Sequence, residues 1–434
     1  MRVLLIGSGG REHALALKLK ESESPVELFA APGSDALGEL GSCLPFQAED
    51  IPGISGWCAD HHPDLVVIGP EAPMVGGLGD ALRAQGLAVF GHNAATARME
   101  GSKAFAKEFM FRHGIPCAAS ETVQDWKHGE SAIRGWSHGY PLVLKADGLA
   151  AGKGVVLAQT EAEALDTLSA FMAGQFGEAS KTVVLEAPLF GMELSQHVLV
   201  DVTAEHAHYL VLPPCQDHKR IFEGDQGPNT GGMGAFGPMP FLRPEDHQRL
   251  LTDLIEPTVQ GLQKDGLVGC GVFFLGVMWD AEGPKLLEYN TRFGDPETQV
   301  LMQLIDEDLP SLLMDVAKGR LDRESLKIKE GCAITVVLAA EDYPTGAKKG
   351  VPIEIGEVEV AVIHAGTKKQ DGRWVTHGGR VLNLATSAAS LEEARRKIET
   401  ALPKVHWPGM QVRGDIGLRA LNHARAGKTV QDAW

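Results

Sequence analysis

The chain has 434 residues, with 40 Lys and Arg against 57 Asp and Glu and a formal net charge of −17. That length exceeds what one hydrophobic core usually serves and predicts two to four domains of roughly 100–200 residues each, while 44% hydrophobic and 22% charged residues exclude wholesale disorder, collagen and coiled coil. The acidic balance argues against a nucleic-acid surface, which needs clustered Lys and Arg, but leaves room for small phosphorylated ligands held by a local donor cluster.

The apolar run Met1–Gly7 is too short for a secretory signal. No window approaches the ~18 uncharged apolar residues of a membrane span. The six cysteines (Cys43, Cys58, Cys117, Cys215, Cys270 and Cys332) form no C-x-x-C pair, so free thiols in a reducing cytoplasm are expected rather than a disulfide framework or zinc site.

In chain order, Arg2–Gly7, Val26–Ala30, Leu65–Gly69 and Leu87–Gly91 read as buried strands, with a helical pattern over Arg11–Lys20. Strands alternating with helices predict βαβ units and a parallel sheet, whose ligands sit at the carboxyl ends of the strands. The exits Gly7-Ser8-Gly9-Gly10 and Gly69-Pro70-Glu71 fall at that edge. A helix is expected over Ser102–His113, then a smaller unit from about 121 to 190 with strands Pro141–Ala146, Gly154–Gln159 and Thr182–Glu186 and a helix Glu161–Phe171. A larger α+β section follows, with strands Ser195–Val202, His208–Leu212, Val272–Trp279 and Pro284–Tyr289 and a helix Glu245–Lys264 interrupted at Pro257. The last part is β-rich, with strands Ala333–Ala339, Val358–His364 and Arg380–Leu384 before a helix opened by Ser390-Leu391-Glu392-Glu393.

Five segments carry chemistry. Lys145-Ala146-Asp147-Gly148 through Gly152-Lys153-Gly154-Val155 is a glycine-rich loop between two strands, where backbone N–H groups can approach phosphate oxygens. It is not a P-loop: Gly148 to Gly152 is one residue too short, Gly154 stands where Ser or Thr belongs, and a strand follows. By itself it is equally compatible with an ordinary hairpin bearing an exposed lysine. Glu186 through Glu193 is an acidic turn suited to ribose hydroxyls, with backbone free to pair with a base edge; alone it also reads as an exposed loop. Gln216–Arg220 leads into Gly224–Ala235, whose five glycines suggest close approach to an anion. Glu288 and Asn290 are two apart on a strand and so share a face, a hard-oxygen pair suited to Mg²⁺, with Arg292 and Asp295 just beyond. Gly7-Ser8-Gly9-Gly10-Arg11-Glu12-His13 lacks the third glycine of the dinucleotide fingerprint, because Glu12 occupies it. A phosphate at the helix N-terminus is the better reading, and His13 reads as structural.

The order of these segments resembles the ATP-grasp superfamily and, within it, the phosphoribosylamine–glycine ligase family. The resemblance spans almost the whole chain, through Gly9–Ala14, Gly69–Pro73, Glu100–Lys103, Lys145–Val155, Gln216–Arg220, Gly227–Gly234, Arg292–Gln299 and His364–Thr367. It implies a multidomain α/β and α+β fold: an N-terminal parallel α/β substrate-binding domain (1–101), an ATP-grasp domain of two subdomains (102–327, the smaller and mobile one about 121–190), and a small β-rich C-terminal domain (328–434).

The implied activity is ligation of glycine to 5-phosphoribosylamine, with ATP phosphorylating the glycine carboxylate. A carboxylate is a poor electrophile, and phosphorylation makes its oxygen a leaving group that must be kept from water. By the same resemblance Lys103 and Lys145 contact ATP phosphates under the loop of Gly148, Gly152, Lys153 and Gly154; Glu186 and the backbone at Leu189 lie by the adenine, and Glu193 by the ribose. Glu288 and Asn290 ligate Mg²⁺ or Mn²⁺; Asp217, Lys219, Arg292 and Asp295 are candidates for holding glycine and phosphoribosylamine; Gly9, Gly10, Arg11 and Glu71 line the phosphoribosylamine end. A cytoplasmic monomer or weak homodimer is expected, with no nucleic-acid or membrane partner.

Two departures stand out. ATP-grasp enzymes often carry another acidic metal ligand on the preceding strand, but Val272–Trp279 has no acid and Asp280 lies past its end. Ile221-Phe222 is bulky and apolar where small or charged residues are expected. The rivals are an ATP-dependent carboxylase or another carboxylate–amine ligase on the same fold, a nucleotide-binding regulator without turnover, which intact Lys145, Glu288, Asn290 and Arg292 disfavour, and a dinucleotide dehydrogenase, which Glu12 disfavours.

Overall fold

The computed structural model describes residues 1–148, 154–177 and 181–432. The first ninety residues form the expected parallel sheet, in the order Ser42–Cys43, Glu27–Pro32, Arg2–Gly7, Leu65–Ile68 and Ala88–Phe90. The chain builds outward from Arg2–Gly7 on one side and then restarts on the other. The crevice at the ends of Arg2–Gly7 and Leu65–Ile68 is therefore a topological switch point, where ligands gather in such sheets. Glu12 explains the missing third glycine. Its carboxylate accepts from Gly9 N (2.7 Å) and Arg11 Nε (2.6 Å), and a Cβ at Gly69 would lie 2.1 Å from its Oε1. The glycines make a slot for a carboxylate that braces the turn.

The smaller unit is an antiparallel sheet in the order Ser120–Val123, Val183–Glu186, Leu142–Ala146 and Val155–Ala158. Helices Trp126–Arg134 and Glu161–Met172 close its core through Ile133, Ala164, Leu168 and Phe171. A second antiparallel sheet follows, in the order Ala207–Val211, Met192–Val202, Gly269–Asp280 and Gly283–Asn290.

The helix expected over Glu245–Lys264 does not break at Pro257. It runs as Pro244–Arg249, widens into a π-helical turn at Leu250–Ile255, and resumes as Glu256–Lys264 with Pro257 in its first turn. Proline lacks the N–H and crowds the carbonyl four residues back, and the wider turn upstream takes up that defect.

The C-terminal strands do not form a sheet alone. Cys332–Ala339 lies between Arg380–Ala388 and Gly234–Gly237, and the order Gln216–Asp217, Gly234–Gly237, Cys332–Ala339, Arg380–Ala388, Ala361–His364 carries the sheet across the boundary expected near residue 328. The helix Glu297–Leu304 is buried on nearly every side, packed between the N-terminal helix Gly10–Lys20 and this antiparallel sheet. A helix buried all round belongs to a core shared by several units, and truncating its fully buried Leu301 to Ala would cost about 2–5 kcal/mol. The loop 291–296 that feeds it is thereby fixed where the three parts meet.

Candidate active site

Register writes the site across the second sheet. Ser195, Gly276 and Glu288 are directly opposed on three adjacent strands, as are His197, Phe274 and Asn290. Opposed residues of antiparallel strands point to one face, and so do i and i+2 on a strand, so both rows face the same way. Gly276 stands where the further acid was sought, and a Cβ there would come 3.3 Å from Glu288 Cγ. The glycine leaves room for the glutamate. Asp280 is taken up by the hairpin turn, accepting from Glu282 N (2.8 Å) and Lys285 Nζ (2.7 Å).

That face looks into a cavity of about 460 Å³. One wall is apolar, from Met99, Met110, Val184, Phe274 and Leu287; the rest carries Lys103, Lys145, Lys219 and Arg292. Glu288 faces these four cations. Burial disfavours its charge, yet Lys219, Lys145, Lys103 and Arg292 together hold its carboxyl below the usual range. Lys103 opens the helix Lys103–Arg112, and its Nζ donates to Gly148 O (3.0 Å). At that helix start Asp147 accepts from Ser102 Oγ (3.0 Å) and Ala104 N (3.1 Å), tying the base of the glycine-rich loop to the helix. Gly154 also lines the cavity; Gly152 and Lys153 lie outside the described residues.

Glu186 is buried between Lys107 and Lys145, which both pair with it. Leu189 and Glu193 do not line the cavity, but Glu193 pairs with Lys219, which does. Burial lowers the basicity of Lys219, but Glu193, Glu288 and Asp217 outweigh it and keep the ammonium charged.

Arg292 joins segments far apart in sequence. Its Nε meets Glu71 and its Nη2 meets Glu100, both at 3.0 Å, and Glu100 also accepts from Thr291 N (2.8 Å). Burial raises the Glu100 carboxyl despite Arg292, whereas Arg292 overcomes burial to lower Glu71. At another end Ser195 Oγ donates to Glu297 (2.8 Å), and burial with the nearby Glu297 charge raises Asp217 well above its ordinary value. Asn290 Oδ1 accepts from Arg292 Nη2 at 3.3 Å, and its buried Nδ2 has no partner.

A second cavity of about 530 Å³ is lined by Ser8–Gly10, Gly33–Asp35, Asp295, Ala365–Lys368, His377 and Arg380. Asp295 lines both cavities. Burial opposes its ionisation, but Arg380 and then Arg11 lower it, and its Oδ1 accepts from Gln299 Nε2 (2.8 Å). Arg380 Nη1 donates to Asp295 O (2.6 Å) and Gly231 O (2.7 Å). Gly9 and Gly10 thus reach the second cavity and Glu71 the first. Arg11 lines neither: its guanidinium turns inward to Glu12 and Phe293 O.

Glu100, Glu297, Arg380 and the 365–368 turn were not singled out for chemistry from the residues alone. Glu297 sits two residues beyond Asp295, a second acid in the same segment that could have flagged it; Arg380 had no local signal. No group of three or more His, Cys, Asp or Glu among the described residues is arranged to hold a metal ion, and no helix there is long and apolar enough to cross a membrane.

Family models cover nearly the whole chain: the phosphoribosylglycinamide synthetase N domain at residues 1–100, its ATP-grasp (A) domain at 101–298, and its C domain at 333–419. The chain belongs to the phosphoribosylglycinamide synthetase family. A phosphoribosylamine–glycine ligase of Brucella melitensis biotype 1 is 45% identical over 99% of this chain and 100% of its own. The crystal structure of the Thermotoga maritima phosphoribosylamine–glycine ligase superposes with a TM-score of 0.83 at 34% identity, over 96% of this chain and 100% of that one. The biotin carboxylase domain of the Hydrogenobacter thermophilus 2-oxoglutarate carboxylase, solved with MgADP and bicarbonate, gives a TM-score of 0.75 at 18% identity, over 99% and 95% of the two chains. That second likeness is one of fold, so the ATP-grasp architecture is common to both while the family is that of the ligases.

Proposed function

We propose that this chain joins glycine to 5-phosphoribosylamine with cleavage of ATP, giving glycinamide ribonucleotide, ADP and phosphate through glycyl phosphate, a step of purine synthesis. The observation that carries this reading, beside family membership along the whole chain, is the Glu288–Asn290 face set against Lys103, Lys145, Lys219 and Arg292. Such a wall suits a polyphosphate brought with a divalent cation, and the apolar wall suits a base. Glu288 and Asn290 fit Mg²⁺: both offer hard oxygens on one face, the Glu288 carboxylate held ionised and Asn290 Oδ1 met only by a 3.3 Å contact from Arg292 Nη2. When bound, the ion neutralises phosphate charge; Mn²⁺ suits the same oxygens. The relative solved with MgADP supports use of ATP and Mg²⁺.

The side chains act by positioning and charge. In this reading the lysines hold the phosphate oxygens in line with the glycine carboxylate, which Arg292 holds. A carboxylate oxygen bonds to the γ-phosphorus as the bond to ADP breaks. The amine nitrogen of phosphoribosylamine then bonds to the acyl carbon, phosphate leaves, and the nitrogen gives up one proton. Asp217 and Glu297 form an acidic end suited to the glycine ammonium, which would relieve the raised Asp217 carboxyl. The second cavity, at the start of the helix Gly10–Lys20 and bearing Lys368 and Arg380, suits the phosphoribosyl group. Asp295, ionised and shared by both cavities, is the carboxylate placed to take the proton.

A coupled assay tests this. ADP release is expected only with glycine and phosphoribosylamine both present, one phosphate per amide formed. Equal release without glycine, or release driven by bicarbonate, would reject the reading.

A further inference from the structure

His197 is fully buried, and neither the fold nor the proposed chemistry has yet given it a part. It stands in the row His197–Phe274–Asn290. Its ring stacks on Phe274 (centroids 4.7 Å apart, planes 19° apart) and faces Phe293 on the loop (6.2 Å, 25°). Its Nε2 accepts from Gly294 N at 3.1 Å. The Nδ1 atom is buried with no partner.

These contacts fix the tautomer. An Nε2 that accepts leaves the proton on Nδ1, where nothing receives it. A buried unpaired N–H is costly and rare in a native structure, so the ring is committed to one bond, the one to Gly294. Burial and the Arg292 charge keep the imidazole neutral, with its pKa lowered to about 3, so Nε2 stays an acceptor. Gly294 is held at its other end as well, its carbonyl accepting from Thr298 N at 3.2 Å. A Cβ at Gly294 would lie 3.0 Å from His197 Nε2 and 2.4 Å from Glu297 Oε2. Its neighbours on the loop are Arg292, two residues before, and Asp295, the next residue.

We infer that His197 is a positioning residue that locks the Gly294 peptide and so sets where Arg292 and Asp295 stand between the two cavities. It touches no substrate in this arrangement and acts through the loop. The inference deepens the proposed ligase reading and rests on it for its kinetic test. Because Asp295 belongs to both cavities while Lys103 and Lys145 sit on other elements, the defect should fall on glycine and phosphoribosylamine and spare ATP.

The test compares His197→Phe, which keeps a stacked ring without an acceptor, with His197→Gln, whose amide oxygen reaches near the Nε2 position. His197→Phe should lower kcat/KM for phosphoribosylamine about 30-fold to 100-fold, with KM for ATP within about threefold of wild type. His197→Gln should recover about tenfold of that loss. In the wild type, amide hydrogen exchange at Gly294 should be slow, a readout that needs neither activity nor a folded variant. His197→Phe constants equal to wild type, a parallel rise in KM for ATP, no recovery in His197→Gln, or rapid exchange at Gly294 would each overturn the inference. If the wild type itself forms no amide from glycine and phosphoribosylamine, the ligase reading fails, while slow Gly294 exchange would still support the lock.

Discussion

The two cavities meet at Asp295 and are built in different ways. The first is walled by side chains, and its groups come largely from one sheet face and the loop after it: Glu288, Asn290, Arg292 and Asp295 lie within eight residues. The second is walled largely by backbone: Ser8–Gly10, Gly33–Asp35 and Ala365–Lys368 come from three distant parts of the chain. Charges that stabilise a reaction must be held rigidly, and strands hold them. A cavity made of glycine turns offers space close to the backbone, and Lys368 and Arg380 bring it positive charge, which suits recognition of an anion. In the proposed reading the contrast separates chemistry from recognition of the phosphoribosyl group, with Asp295 and Arg380 between the two cavities.

The largest effect that would break this contrast is at Glu288. Glu288→Ala should cut amide formation about 10³-fold or more at saturating Mg·ATP, because in the proposed reading it removes a metal ligand and leaves four cations facing one another. A wild-type rate in a steady-state ADP-release assay would remove the metal role.

Next comes acid. Five histidines sit in the interior: His92 against Val272, His197 against Gly294, His13 against His364, and His218 against Gly417. Burial is the first cause in each, lowering the ring pKa to about 3 for His13 and His197 and about 4 for His92, His218 and His364. Between the ordinary value of 6.5 and those values the unfolded chain binds more protons than the folded one. Stability should therefore be intact above about pH 6.5 and fall as pH drops toward 4, by about 1.4 kcal/mol per pH unit for each such ring. Thermal melts across pH 4–7 check this, and a flat profile would show the rings to be solvated.

A smaller effect separates the cavities directly. Lys368→Ala should raise KM for phosphoribosylamine about tenfold and leave KM for ATP unchanged. A change in KM for ATP alone would reverse the assignment of the second cavity. The smallest concerns the apolar pair. Ile221 is buried against Met233, Val337 and Ala339, so Ile221→Ala should cost about 2–4 kcal/mol. Phe222 is 55% exposed, and Phe222→Ser should change stability by less than about 0.5 kcal/mol. Denaturant titration of both variants checks the pair.

The hairpin Arg220–Phe222 with Gln226–Asn229 shows why that pair looked out of place. A strand alternates faces, so one of two adjacent apolar residues is buried and its neighbour is exposed; which one, and against what, depended on a C-terminal strand more than a hundred residues away. The helix at Pro244 shows another gap. Proline signalled a break, but a helix can place its irregular turn upstream when the following turn packs well.

Local chemistry alone determined much of this protein. The parallel sheet, the glycine turns at its switch point, the Glu288–Asn290 face and the lysines beside the glycine-rich loop all follow from period-two patterning and short spacings. The tertiary structure decided what no short window contains: that Gly234–Gly237 pairs with Cys332–Ala339, that Arg11 turns inward to Glu12, that Arg292 gathers Glu71 and Glu100, and that Arg380 closes the wall at Asp295. Those partners are chosen by burial, since a charge taken out of water must find its counter-charge wherever the folded chain has placed it.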